Sequence, residues 1–125
     1  MPTQPKKVLA VVDDLLFTVK INDAAKRNGL EAVFLKSAED VVAQAKEKPL
    51  MLIVDLNSNS VDTVELIHTL RTNEETRRMN ILGFLSHLHG ELKQKAQEAG
   101  ATLVMTRSAF STNLLQILKR HTGNL

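Results

Sequence analysis

Leu50-Met51-Leu52-Ile53-Val54-Asp55-Leu56-Asn57 is the stretch that decides the fold. An unbroken apolar run leads into one carboxylate. A run of that kind, without polar alternation, is the pattern of a strand covered on both faces, as in the interior of a parallel sheet. An acid at its C-terminal end falls on the edge where open α/β sheets place their ligand sites, so Asp55 is the first candidate for chemistry. Taken alone, Asp55 could equally open a turn, where aspartate is common.

Working outward, Val8-Leu9-Ala10-Val11-Val12 is a second buried-strand run, and it ends in Asp13-Asp14. Leu15 to Asn28 reads as a helix with Leu16, Val19, Ala24 and Ala25 on its apolar side and a stop at Asn28-Gly29. Ala32-Val33-Phe34-Leu35 is a further strand. Ser37, with Asp40 three residues on, opens a helix whose inner face is Val41, Val42 and Ala45. After the polar loop Asn57-Ser58-Asn59-Ser60 comes a helix with Val61, Val64, Leu66, Ile67 and Leu70 inward. Ile81 to Leu85 is a strand ending at Ser86, and Glu91 to Ala99 a helix closed by Gly100. Ala101 to Thr106 is a strand ending at Arg107. The last helix carries Leu114, Leu115, Ile117 and Leu118 as its buried stripe. Strand and helix alternate five times with short connections, which argues for a parallel sheet covered on both faces and one domain over residues 1–125.

Composition narrows the function. Hydrophobic residues make up 43% and charged residues 24% of 125, a globular balance large enough for one core. No apolar run approaches the ~18 residues of a membrane span, and Met1 to Lys7 lacks the apolar region of a signal peptide. The absence of cysteine excludes a disulfide framework and thiolate zinc sites and fits a cytoplasmic setting. The net charge of +2, with no Trp or Tyr to stack on bases, argues against nucleic acid as a partner.

Four of the five strands end in a polar group: Asp13-Asp14, Asp55, Ser86 and Arg107. In a right-handed parallel sheet those ends share one edge. Each has a plain structural role available, as helix cap, turn residue or surface ion pair. Together they place three carboxylates, a hydroxyl and a cation at a single rim. Two carboxylates ~4 Å apart repel by about 4 kcal/mol at an effective dielectric near 20, so three together call for a cation. All-oxygen ligands with open positions suit Mg²⁺, which keeps waters and bridges to phosphoryl groups. An aspartate can itself attack phosphorus, and a hydroxyl and a cation beside it can hold phosphoryl oxygens. The residues read as a magnesium-assisted aspartyl phosphorylation site.

This ordered set resembles the receiver domain of two-component response regulators over nearly the whole chain. The resemblance implies a flavodoxin-like sheet of order 2-1-3-4-5. It implies Mg²⁺ held by Asp13, Asp14, Asp55 and the backbone carbonyl of Asn57. Asp55 would be the phosphoacceptor for a sensor histidine kinase or phosphotransfer protein, and Ser86 would hydrogen-bond the phosphoryl group. The chain would signal through a protein partner, with a homodimer as one form, and would not be an enzyme beyond its own phosphorylation and dephosphorylation. Three positions depart from the family. Arg107 stands where lysine is usual, a planar fork in place of a compact ammonium. Ser108 replaces the proline that follows, so a trans peptide and a reshaped loop are expected. Val104 takes the place of the aromatic residue that swings on activation. These departures carry the rival reading, a degenerate receiver that acts as a phosphorylation-independent interaction module. A phosphatase using Asp55 is disfavoured because Asp55-Leu56-Asn57 lacks a second acid two residues on, and a flavin site because aromatic walls are missing. His87 and His89 read as surface histidines, and His68 as half-buried.

Overall fold

The computed structural model describes residues 6–86 and 90–122; His87 and His89 lie outside them. Five strands, β1 (Lys7–Val11), β2 (Glu31–Phe34), β3 (Met51–Asp55), β4 (Asn80–Leu85) and β5 (Leu103–Thr106), form one parallel sheet. Its order is β2-β1-β3-β4-β5, the doubly wound arrangement expected. Five helices connect or follow them: α1 (Leu15–Arg27), α2 (Ala38–Ala45), α3 (Thr63–Thr72), α4 (Gly90–Ala99) and α5 (Arg107–Thr122). Among the described residues no helix is long and apolar enough to cross a membrane.

Alternate strand residues feed two separate cores, because side chains on a strand point to opposite faces. Val8, Ala10, Met51, Ile53 and Phe84 pack under α1 and α5, while Leu9, Val11, Leu52, Val54 and Ile81 pack under α2, α3 and α4. β3 is buried along its whole length, as its uninterrupted apolar run requires. Helix starts are capped by side-chain oxygens, at Ser37 as the sequence indicates and at Asp62, which puts the start of α3 at Thr63 and leaves Val61 before it. Ser37 Oγ accepts the Asp40 N–H at 3.1 Å, and Asp62 Oδ1 accepts the Glu65 N–H at 3.1 Å.

Two helical faces are set differently from the sequence expectation. On α1 the buried residues are Phe17, Ile21, Ala24 and Ala25, whereas Leu16 and Val19 are 61% and 58% exposed. Both stripes have helical spacing. The aromatic one wins because Phe17 stacks on Phe84 (ring centroids 5.1 Å apart), which stacks on Phe110 (4.3 Å). On α5 the stripe runs through Phe110, Leu114, Ile117 and Leu118, and Leu115 is 38% exposed. His68 is exposed, on the outer side of α3.

Gly100 closes α4 with φ +117°, its N–H and that of Ala101 both reaching the Ala96 carbonyl at 3.2 and 3.0 Å. A Cβ there would stand 2.5 Å from Arg71 Cγ. Gly100→Ala is therefore expected to cost about 2 kcal/mol or more in a urea denaturation, from backbone strain and the clash together.

Candidate functional site

The topology reverses direction between β1 and β3, and the polar residues gather at the C-terminal edge beside that reversal. Register places Val11 opposite Val54 and Asp55 opposite Phe84, so the chain after β1 and the end of β3 emerge side by side. Asp55 is 2% exposed, a carboxylate set at the rim of an apolar strand. Its Oδ1 accepts the Asn57 N–H at 3.0 Å. Its Oδ2 accepts from a terminal guanidinium nitrogen of Arg107 at 3.0 Å.

Arg107 reaches this point from β5, with the end of β4 between it and β3. Its length is what makes the contact. The other terminal nitrogen lies 3.9 Å from Asp14 Oδ2, so one guanidinium bridges two carboxylates. The cation also stands 5.3 Å over the Phe17 ring, which fixes it from below. Its side chain keeps 32% exposure, yet Nε is buried without a hydrogen-bond partner among the described residues.

Asp14 does two things at once. Its Oδ1 accepts the Leu16 N–H at 2.8 Å and caps α1, while Oδ2 faces Arg107. Asp13 faces elsewhere. Ser58 Oγ and the Asn59 N–H donate to its Oδ2, each at 3.0 Å, and Ser60 Oγ donates to Oδ1 at 2.7 Å. The Ser60 hydrogen bond, more than those from Asn59 and Ser58 or the charge of Lys36, holds the Asp13 carboxyl below the usual carboxylate range against a partial desolvation. Ser86 is turned to Asn57, whose Oδ1 accepts its N–H at 2.9 Å and its Oγ at 3.2 Å.

The structure thus joins Asp14, Asp55 and Arg107, links Ser86 to Asn57, and engages Asp13 with the loop after β3. Three carboxylates meeting at one point was the expectation. Among the described residues no three His, Cys, Asp or Glu side chains form such a group. The physical reason is that Asp13 finds three neutral donors on residues 58–60 while Arg107 supplies the positive charge that Asp14 and Asp55 need. Sequence reasoning passed over Ser58, Ser60 and Phe17. The Ser-Asn-Ser spacing just after Asp55 was the available signal for the first two. At Ser108 the expected trans peptide is found, all described peptide bonds being trans. The expected loop is absent, since α5 starts at Arg107 directly after β5, with Thr106 Oγ1 accepting the Ala109 N–H at 3.1 Å. Val104 is buried on the α4 side of the sheet.

No family model and no curated protein sequence matches the chain. Solved structures do. A chemotaxis response regulator of Vibrio cholerae superposes with a TM-score of 0.78 at 23% identity, over 94% of this chain and 98% of that one. The receiver domain of a sensor histidine kinase of Pseudomonas aeruginosa, with a magnesium ion coordinated in its active-site cleft, gives 0.78 at 19% identity, over 95% and 98%. A phosphorylated cyanobacterial phytochrome response regulator gives 0.77 at 18%, over 93% and 90%. The fold is that of response regulator receiver domains.

Proposed function

We propose that this receiver-fold chain is a cytoplasmic signalling domain that accepts a phosphoryl group on Asp55, with Mg²⁺ at the site, and passes the signal on through a protein partner. The observation that carries the reading is the Asp55 carboxylate. It lies at the end of the central strand, 2% exposed, beside a cation 3.0 Å away, on the fold that a phosphorylated response regulator shares. In the step, a carboxylate oxygen of Asp55 attacks the phosphorus of a phosphohistidine or an acyl phosphate. The new O–P bond forms as the donor's bond to phosphorus breaks, and the electron pair leaves with the donor.

The donor set suits a hard cation. Asp14 and Asp55 already share one positive charge, and Asn57 lies two residues past Asp55, just after the end of β3. Asp14, Asp55 and Asn57 would hold Mg²⁺, and Asp13 joins them only by giving up its donors on residues 58–60. When bound, the ion neutralises charge at the transferring phosphoryl group. Arg107 carries a free buried N–H at Nε, a donor a phosphoryl oxygen can take, and Ser86 offers a hydroxyl once released from Asn57. Leu15, Leu16 and Val19 are exposed on α1 next to Asp14, an apolar patch suited to a protein phosphodonor such as a sensor histidine kinase or phosphotransfer protein.

The test is incubation with acetyl phosphate and Mg²⁺, followed by intact mass. One hydroxylamine-labile phosphoryl group per chain is expected, and none at all would overturn the reading. A second reading, a phosphorylation-independent interaction module, is favoured by the internal partners that Asp13, Asp55 and Ser86 already have. Beryllofluoride separates the two. Amide shifts spreading from the site into α5 mark a switch, and an unchanged spectrum marks the module.

A further inference from the structure

Arg107 departs from a simple phosphoryl-gripping role in one respect: it is already bound to the phosphoacceptor. We propose that its guanidinium is a tethered cation occupying the place between Asp14 and Asp55 that a divalent ion must take, so that metal binding and the Arg107–Asp55 ion pair exclude one another. The inference rests on the reading of this edge as a metal-assisted site and names what regulates it.

Geometry carries the argument. The two terminal nitrogens of Arg107 divide between the two carboxylates, at 3.0 Å from Asp55 Oδ2 and 3.9 Å from Asp14 Oδ2. These are the Oδ2 oxygens of both acids. The Oδ1 oxygens accept from the backbone, that of Asp55 from the Asn57 N–H and that of Asp14 from the Leu16 N–H. A cation approaching from solvent therefore competes with Arg107 for the same pair. It cannot add to it either, because a guanidinium and a divalent ion against the same oxygens repel strongly. The third acid is engaged apart from this pair, both Asp13 oxygens accepting hydrogen bonds from residues 58–60.

The cation is fixed in place from two sides. Its backbone is the first residue of α5, and its head rests on Phe17, itself stacked on Phe84 and Phe110. It is also incompletely held: Nε is buried and has no acceptor among the described residues. A buried donor without an acceptor gives up its seat readily when a better set of partners is offered. Divalent metal together with a phosphoryl group is such a set, one taking the carboxylates and the other the released guanidinium. Arg107 thereby sets the metal affinity of the resting site low and couples metal entry to its own departure.

The full chain and its Arg107→Gln variant are to be titrated with Mn²⁺ by water-proton relaxation and with Mg²⁺ by calorimetry. Removing the tethered charge is expected to tighten both metals about tenfold or more. In the wild type, the Arg107 Nε–H resonance is followed during the Mg²⁺ titration and is expected to move along the same saturation curve. That measurement stands alone if the variant fails to fold. Equal affinities in the two proteins, or metal saturation with the Arg107 resonance unmoved, would overturn the tethered cation and leave the metal reading intact. Binding to neither protein would remove the metal reading and this inference with it.

Discussion

Asp55→Asn is expected to take up no phosphoryl group from acetyl phosphate under conditions that label the wild type. The substitution keeps the shape of the side chain and changes its chemistry. An amide oxygen still accepts the Asn57 N–H, now made at 3.0 Å, so the end of β3 keeps its turn. The other half of the group becomes an N–H₂ facing the Arg107 guanidinium, donor against donor, where a 3.0 Å ion pair stood. A neutral amide is no nucleophile towards phosphorus, so the loss is complete rather than graded. The stability cost is expected to be about 1–2 kcal/mol. That is less than for a fully buried pair, because Arg107, at 32% exposure, can turn to Asp14 and water. Intact mass spectrometry reads the first effect and urea denaturation the second. Labelling of the variant at the wild-type level would place the acceptor elsewhere.

Arg71→Ala is expected to be the most destabilising single change on the surface, by about 3 kcal/mol, lowering Tm by roughly 10 °C. Arg71 sits on α3 at the end of the sheet opposite the site. Its Nε donates to the Gly100 carbonyl at 2.7 Å, and one terminal nitrogen donates to the carbonyls of Arg77 at 2.8 Å and Met79 at 2.7 Å. The other donates to Thr102 Oγ1 at 3.0 Å, which in turn accepts the Ile81 N–H at 3.0 Å. One guanidinium thus ties the end of α4 and the entries to β4 and β5 to α3. Partial burial lowers its pKa, yet a guanidinium stays charged at neutral pH, so these are charge-assisted bonds. Truncation leaves three backbone carbonyls and a threonine hydroxyl without this donor. Arg71→Lys is expected to recover only part of the loss, since an ammonium lacks the planar fork that spans these acceptors. Thermal unfolding followed by circular dichroism checks both, and a loss below about 1 kcal/mol would show that water replaces the clasp.

The exposed positions of Leu16, Val19 and Leu115 show where periodicity stops being informative. On α1 two stripes compete at helical spacing, and only the Phe17–Phe84–Phe110 stack, built from three distant segments, selects between them. On α5 the same stack draws Phe110 inward and rotates Leu115 out. The strands were easier to read, because a run buried on both faces needs no choice of phase.

From the chain alone came the five βα units, the parallel sheet covered on both faces, and the polar strand ends on one edge. Those follow from local patterns: continuous apolar runs make interior strands, and right-handed crossovers put their ends together. Which of those polar groups pair was decided by tertiary structure. Asp13 turned to Ser58 and Ser60 because neutral donors stood within reach, and Arg107 spanned the end of β4 to Asp55 because a guanidinium is long enough to do so. Strand order and helix phase bring such partners together across 45 to 52 positions of sequence, a separation over which side-chain pairing leaves no periodic trace.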